Sequence, residues 1–338
     1  MSNLNPKIKL NKKRLPQIEE LYKQILEGDR FALGKAITLI ESNNPQHRKE
    51  SKELISMCLK NKRNTLRIGI TGSPGVGKST LLENLGLYII EKGYKPAILA
   101  IDPSSKISGG SILGDKTRMN KLSKSENAFI RPSPAGKSLG GVANKTKESV
   151  ILVETAGYNP VFIETVGVGQ SETAVHSMTD LFILLLQPGA GDEIQGIKRG
   201  IMEMADIIVV NKADGENIHN AEKTFAQYSN ALGLLAKKES GWSTKIMMIS
   251  AMENKGIDKL WDLILEFEKT VRSSGYFDTN RKKQNQEWFH DYLFNNLLEI
   301  FTNNPELKKI YKEVLEKVEN GNMSLYEAGD YLIDILVK

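Results

Sequence analysis

Apolar runs alternate with amphipathic segments from residue 66 onward, and this alternation predicts a sheet covered by helices. Runs such as 181–186 and 207–210 are apolar at every position, which is typical of parallel strands buried on both faces. The predicted strands are 66–71, 96–101, 161–165, 181–186, 206–210 and 245–249. The predicted helices between them are 78–92, 141–157, 193–204, 217–236 and 257–273. The pattern therefore predicts an α/β fold with a mainly parallel central sheet.

Helical periodicity without strand signals occupies both ends of the chain. Before the sheet it runs from 15 to 62, with a break at Pro45. After Ser274 an apolar helical stripe follows, and Ser324 with Glu327 forms a capping box that opens a last helix. We therefore predict a helical extension at 1–62, an α/β domain at 63–274 and a C-terminal helical arm at 275–338.

Composition and charge narrow the class of protein. The net charge of +5 is slight for 338 residues, and the one concentrated basic run, 7–14, is typical of a solvated tail. We therefore expect neither a nucleic-acid nor a membrane surface. The single cysteine, Cys58, lies in an apolar helical pattern and cannot form an internal disulfide. With no secretory leader and no run of eighteen apolar residues, we expect a cytoplasmic protein.

A glycine-rich loop joins the first predicted strand to the first helix of the α/β domain. Residues 66–80 read LRIGITGSPGVGKST, so the G-x-x-x-x-G-K-[ST] pattern has the strand–loop–helix context that it requires. The backbone N–H groups of such a loop and the helix N-terminus surround a phosphate chain. Lys78 would lie between the terminal phosphates, and Ser79 would ligate Mg²⁺. The predicted nucleotide-binding residues here are Gly72, Ser73, Pro74, Gly75, Val76, Gly77, Lys78, Ser79 and Thr80.

Two segments that follow later strands predict that the nucleotide is GTP or GDP. Residues 211–214 form an N-K-x-D sequence directly after the apolar run 207–210. The Asp214 carboxylate can accept from guanine N1–H and the N2 amine, whereas adenine has no amine at C2. Sites of this kind discriminate by about 10⁴-fold or more. After the next strand, a backbone N–H within 250–252 would contact guanine O6. The predicted base-side residues are Asn211, Lys212, Asp214, Ser250, Ala251 and Met252.

Two further segments are placed to sense the terminal phosphate. One runs from 101 to 116, and the other runs from 164 to 170. Glu164, at the end of a predicted strand, occupies the place of the acidic residue that organises Mg²⁺ water, and the N–H of Gly167 can meet the terminal phosphate. The residue after that glycine is Val168, where Ras-like GTPases have glutamine. We therefore expect slow intrinsic hydrolysis that a partner accelerates.

Together these motifs resemble the MeaB/ArgK-type GTPases, the methylmalonyl-CoA mutase-associated proteins of the SIMIBI class of P-loop NTPases. The resemblance rests on GSPGVGKST at 72–80, DPSS at 102–105, GGSILGDKTRM at 109–119, FIRPSP at 129–134, ETVGVGQSE at 164–172, PGAGDEIQGIKRG at 188–200 and NKAD at 211–214. It implies a P-loop GTPase domain that binds GTP and Mg²⁺. By position it implies that Asp102, Asp115 and Glu164 surround Mg²⁺ and its water, beside Lys78 and Ser79.

The same resemblance implies a biological role. Members of the family act as chaperones of an adenosylcobalamin-dependent acyl-CoA mutase, gate cobalamin loading and protect the mutase from inactivation. They form homodimers through C-terminal helices. A mobile loop relays the nucleotide state to the mutase, and here it would be 187–200, whose charged members are Asp192, Glu193, Lys198 and Arg199.

Three other functional classes remain as alternatives. A metallochaperone GTPase for nickel enzymes normally has a His-rich or Cys/His site, and His47, His176, His219 and His290 are scattered without such a cluster. An ATP-dependent kinase or transport ATPase is disfavoured by the N-K-x-D sequence. A module that holds GTP without turnover is the third alternative, and a single-turnover assay separates it from a GTPase.

Overall fold

The computed structural model describes most of the chain from residue 18 to residue 337. The described ranges are 18–42, 44–61, 64–102, 119–134, 139–165, 171–189, 199–233 and 237–337. The chain divides into two compact units, Met1–Asn280 and Arg281–Lys338. The boundaries predicted from the sequence, at 62 and 274, stay a prediction.

The first unit is built on a sheet of seven strands, all parallel among the described residues. The strands are β1 (Arg67–Gly72), β2 (Ala97–Asp102), β3 (Phe129–Pro134), β4 (Val161–Thr165), β5 (Leu181–Leu186), β6 (Ile207–Val210) and β7 (Lys245–Met248). Their spatial order is β3-β2-β4-β1-β5-β6-β7. The α/β fold with a parallel sheet is therefore confirmed, and β1 with its glycine-rich loop lies at the centre.

Twelve α-helices occur among the described residues. They are α1 (Ile18–Leu26), α2 (Arg30–Glu41), α3 (Pro45–Leu59), α4 (Lys78–Glu91), α5 (Leu139–Thr155), α6 (Ser171–His176), α7 (Arg199–Met204), α8 (Ile218–Leu232), α9 (Ile257–Ser273), α10 (Tyr276–Asn303), α11 (Pro305–Glu319) and α12 (Leu325–Val337). Five of these helices, α4 to α8, are crossovers between parallel strands. Short 3₁₀ turns occur at Leu122–Lys124 and Gly215–Asn217.

Strand β3 is the one strand that the hydrophobic pattern does not predict. Its sequence, FIRPSP, contains two prolines, which lack the N–H needed for a ladder bond. Among the described strands, β3 lies at a sheet edge and pairs with β2 alone. Because Phe129 donates its N–H inward to Pro96 O at 3.0 Å, alternation points the nitrogens of Pro132 and Pro134 outward. The two prolines therefore remove no N–H group that would have donated to β2.

The core lies on both faces of the sheet. Strands β4, β5 and β6 are buried at every position. Alternate residues of β5 belong to different clusters of buried apolar side chains. Ile183 packs with residues of α4 and α9 on one face of the sheet, and Leu184 packs with residues of α8 on the other. This two-sided burial explains the continuous apolar runs, because neither face of these strands meets water.

Helices α1, α2 and α3 pack against one another and against α5. Polar contacts also join α2 to β3 and to the segment that precedes β3. Arg131 of β3 pairs with Glu41 of α2 at 2.6 Å, and Arg30 of α2 donates to Ser125 O at 3.0 Å. Asp29 caps α2 by accepting from the N–H of Phe31 at 2.7 Å. These helices therefore cover the side of the sheet next to β3.

The described residues of the second unit form helices joined by short turns. Asn304 caps α11 by accepting from Glu306 N–H at 3.0 Å, and α11 packs against α12. The predicted capping box of α12 is confirmed. Ser324 N–H donates to Glu327 at 3.0 Å, and Glu327 N–H donates to Ser324 Oγ at 3.1 Å.

Candidate nucleotide-binding site

The glycine-rich loop lies at the carboxyl end of β1, between β4 and β5, where parallel α/β sheets bind their ligands. Its conformation depends on glycine at two points. Gly72 has φ 151°, and a Cβ there would lie 2.5 Å from Leu185 O. Gly77, the N-cap of α4, has φ 99°, and a Cβ there would lie 2.5 Å from Asn211 Nδ2. The loop is therefore packed against β5 and against Asn211, the residue after β6, and side chains at either point would displace it.

Lys78 is held in the loop by backbone carbonyls. Its Nζ donates to Gly72 O at 2.6 Å and to Ser73 O at 3.1 Å, and the residue is buried. Burial lowers the pKa of Lys78, while the carboxylates of Glu164 and Glu172 act to raise it. A buried ammonium near the N-terminus of α4 is a strong attractor for phosphate oxygen.

The candidate metal site is partly described. Ser79 Oγ donates to Glu164 Oε1 at 3.4 Å, and Glu164 is buried at the end of β4. A hydroxyl and a carboxylate are the oxygen donors that Mg²⁺ prefers. Asp102 ends β2, next to β4, but its side chain lies outside the described residues. Asp115 and Gly167 lie wholly outside them.

No group of three His, Cys, Asp or Glu side chains that could hold a metal ion is found among the described residues. A site built from one carboxylate, one hydroxyl and substrate phosphates does not need such a group. The donors that are described therefore fit Mg²⁺ bound together with a nucleotide, rather than a metal held by protein alone.

Asn211, the residue after β6, connects the glycine-rich loop to the loop after β7. Its Nδ2 donates to Val76 O at 2.8 Å, and its Oδ1 accepts from Ala251 N–H at 3.0 Å. The residue is buried, and its own N–H donates to Leu186 O at 2.9 Å. These bonds fix the end of β6, the loop after β7 and the glycine-rich loop relative to one another. Lys212, the next residue, has φ 60°, in the left-handed region.

Asp214 is oriented by a hydroxyl from the neighbouring loop. Ser250 Oγ donates to the Asp214 carboxylate and also accepts from Glu253 N–H at 3.1 Å. Ser250 is fully buried and Asp214 is half-buried, so one carboxylate oxygen is held from inside while the side chain keeps access to solvent. Ala213 N–H donates to Ile249 O at 3.0 Å, which joins the two loops through the backbone.

The sheet thus brings predicted residues of three loops, after β1, β6 and β7, to the same edge as Glu164 near the carboxyl end of β4. Asn84, which the sequence reasoning did not single out, also belongs here. It lies on α4 and donates from Nδ2 to Ala251 O at 2.5 Å. An asparagine within a helix carries no sequence signal for this contact, since the two residues are 167 positions apart.

A separate cavity of about 720 Å³ lies at the opposite, amino-terminal ends of β5 and β6. Its buried Asp206 is already bound, because it accepts from Lys238 Nζ at 2.7 Å and from Phe182 N–H at 2.9 Å. Burial raises the pKa of Asp206, while Lys238 acts to lower it. Because it lies at the opposite ends of the strands from the glycine-rich loop, this cavity is not the candidate nucleotide site.

No helix in the described ranges combines the length and apolar character needed to cross a bilayer. The cytoplasmic location expected from the sequence stays a prediction.

Comparisons with known proteins point to a family of GTPases. A family model described as methylmalonyl Co-A mutase-associated GTPase MeaB matches residues 33–306. The Escherichia coli protein named GTPase ArgK is 43% identical over 307 residues, which cover 91% of this chain and 93% of that protein. A mouse protein named methylmalonic aciduria type A homolog, mitochondrial, is 42% identical over 326 residues, which cover 94% of this chain and 79% of that protein. The crystal structure of a LAO/AO transport system kinase aligns with a TM-score of 0.76 and 36% identity, covering 95% of this chain and 98% of its own.

Proposed function

Because the chain belongs to the MeaB family of mutase-associated GTPases, we propose that it is a GTP-driven chaperone of an adenosylcobalamin-dependent acyl-CoA mutase. Binding of guanine nucleotide and hydrolysis of GTP follow from membership of this GTPase family. The chaperone role, in which the protein gates cofactor loading and protects the mutase, is our proposal. Its support is the family's name together with the nucleotide site described above.

The observation that carries the nucleotide-binding part of the proposal is the double contact of Asn211, with the glycine-rich loop on one side and the loop after β7 on the other. Because these two contacts fix the glycine-rich loop relative to the loop after β7, they favour a ligand that has both a phosphate chain and a purine. Lys78 would move from the carbonyls of its loop to the terminal phosphates. Asp214, held by Ser250, would accept from the guanine N1–H and N2 amine.

Mg²⁺ would be held by Ser79 and Glu164, with Asp102 and Asp115 close to its water shell. When bound, the ion would neutralise charge on the phosphates and favour departure of the terminal one. Gly167 would donate its N–H to the terminal phosphate. Since Val168 stands where a water-positioning glutamine is found in Ras-like enzymes, we expect slow turnover that the mutase accelerates.

We also propose that the C-terminal helices form a homodimer. Four apolar residues of α10, namely Phe289, Leu293, Leu297 and Ile300, recur at helical spacing and are all exposed. A second copy of the chain would cover this row. Leu293→Lys should convert a dimer into a monomer in light scattering, whereas Phe31→Lys, at an exposed aromatic of the first unit, should not. A monomeric wild type would overturn this proposal.

The test of the proposed function measures phosphate release from GTP with and without a purified adenosylcobalamin-dependent acyl-CoA mutase. We expect the mutase to raise the rate, and a GTP analogue and GDP to differ in how well they retain the mutase on the immobilised protein. Lys198→Ala should reduce the stimulated rate more than the basal rate, because Lys198 lies in the proposed relay loop.

Three outcomes would contradict the proposal. Tighter binding of ATP than GTP would favour the kinase or transport ATPase class. Tight binding of nickel would favour a metallochaperone. Binding of GTP with no turnover, even in a single-turnover assay with the mutase present, would indicate a nucleotide-binding module.

A further inference from the structure

The backbone of Ala251 is held by two asparagines from different elements, one on the peptide that precedes it and one on the peptide that joins it to Met252. Asn84 on α4 donates to Ala251 O at 2.5 Å, and Asn211 after β6 accepts from Ala251 N–H at 3.0 Å. Both backbone polar atoms of Ala251 are therefore used, and the residue is buried. Its neighbour Met252 is 83% exposed, so packing of the Met252 side chain does not fix the loop.

The orientation of Ala251 determines that of the next N–H group. The one cis peptide among the described residues is at Asn159–Pro160, so the Ala251–Met252 peptide is trans. In a planar trans peptide the carbonyl and the following N–H point in opposite directions. With Ala251 O directed at α4, the Met252 N–H points away from α4, on the exposed side of the loop.

Two N–H groups of residues 250–255, those of Met252 and Asn254, have no acceptor among the described residues, and the Met252 N–H is the one whose direction follows from the Asn84 bond. The N–H groups of Ser250, Ala251 and Glu253 donate to Lys255 O, Asn211 Oδ1 and Ser250 Oγ, respectively. Within the part of the chain that the structure describes, the Met252 N–H has no acceptor. An N–H that is fixed in direction and unbonded suits a ligand acceptor.

We propose that Asn84 is a positioning residue for base recognition, which aims the Met252 N–H at O6 of the purine. The proposal rests on the proposed function, because it takes the base to lie beside Asp214. Asn84 touches no part of the nucleotide and acts through the Ala251 carbonyl. Guanine and hypoxanthine present an acceptor at O6, whereas adenine presents an amine and 2-aminopurine has no substituent there. Asn84 therefore contributes to the choice of GTP over ATP.

The test compares three diphosphates by displacement of a fluorescent GDP analogue from the full-length protein. They are GDP, IDP and the diphosphate of 2-aminopurine riboside. In Asn84→Ala we expect GDP and IDP to bind about tenfold more weakly, the effect of one neutral hydrogen bond. The 2-aminopurine nucleotide, which lacks O6, should bind as it does to the wild type. Asn84→Gln keeps the amide donor and should restore part of the loss.

The matched control is Asn230→Ala, which changes an exposed asparagine within helix α8. It should leave the affinity for all three nucleotides unchanged. If Asn84→Ala weakened the affinity for all three nucleotides equally, Asn84 would have only a structural role. If it left all three affinities unchanged, Asn84 would have no role in base recognition. Either result would overturn the proposal. Both results leave guanine binding by the wild type intact. Failure of the wild type to bind GDP would instead overturn the proposed function.

Discussion

Replacing Asp214 with asparagine changes the group that we propose reads the edge of guanine, with little change in shape. One oxygen of Asp214 accepts from Ser250 Oγ, and asparagine can keep that bond through its own carbonyl oxygen. The amide nitrogen then faces the guanine N2 amine, so a donor meets a donor. The fold should therefore survive while selectivity for guanine is lost.

The size of the effect follows from the bonds exchanged. A hydrogen bond to a charged group contributes about 1.5–3 kcal/mol, and a polar group left without a partner costs about 1–3 kcal/mol more. Since about 1.4 kcal/mol is a factor of ten in affinity, GDP should bind roughly 10²- to 10⁴-fold more weakly to Asp214→Asn. XDP has a carbonyl at C2 in place of the amine, so it can accept from the new amide nitrogen. The variant should therefore bind XDP better than GDP.

The assay is titration calorimetry of the wild type and the variant with GDP and XDP in the same buffer. Asp262→Asn, at an exposed position of α9, removes the same charge away from the site and should leave both affinities within about twofold, as expected for a surface change. If GDP affinity falls less than tenfold in Asp214→Asn, or if XDP gains nothing, the assignment of Asp214 to the base is wrong.

Three other substitutions have defined outcomes. Lys78→Ala should abolish phosphate release from GTP, because the buried ammonium that would meet the phosphates is gone, while circular dichroism stays that of the wild type. Lys238→Met leaves Asp206 buried without its cation, so urea unfolding should show a loss of about 3–5 kcal/mol, part of which Asp206→Asn should recover in the double variant. Burial raises the pKa of Glu148 from 4.5 to about 7, so the folded state keeps a proton that the unfolded state releases between these values, and stability falls as pH rises through this range. Glu148→Gln should flatten that fall, measured by urea unfolding at pH 5 and pH 8.

The sequence predicts the features that depend on contiguous residues. The glycine-rich loop and its flanking strand and helix lie within fifteen positions, 66–80, so their order alone indicates a phosphate site. Runs such as 181–186 correctly predict buried parallel strands. A strand such as β5 can be apolar at every position because a layer of helices covers each face of the sheet. Strand β3 is missed because Pro132 and Pro134 argue against a strand unless its place at the edge is known.

Contacts between distant parts of the chain could not be predicted in this way. Asn84 meets Ala251, and Lys238 meets Asp206, only because the strand order of the sheet brings their elements together. In a helix or a loop, these residue types are equally compatible with a solvent-facing position. The direction of a single peptide N–H, such as that of Met252, depends on the long-range bond from Asn84 to Ala251 O and therefore requires a structure.

The outward-facing prolines of β3 bear on how the protein behaves at high concentration. An exposed strand edge offers N–H and C=O groups on which another chain can add a strand, and this is a common route into amyloid-like stacks. On β3, Pro132 and Pro134 remove two consecutive outward donors, so an incoming strand would leave its own carbonyls unsatisfied there. Pro132 and Pro134, which argue against a strand in the sequence, would therefore weaken the pairing of a second chain with the outer edge of β3.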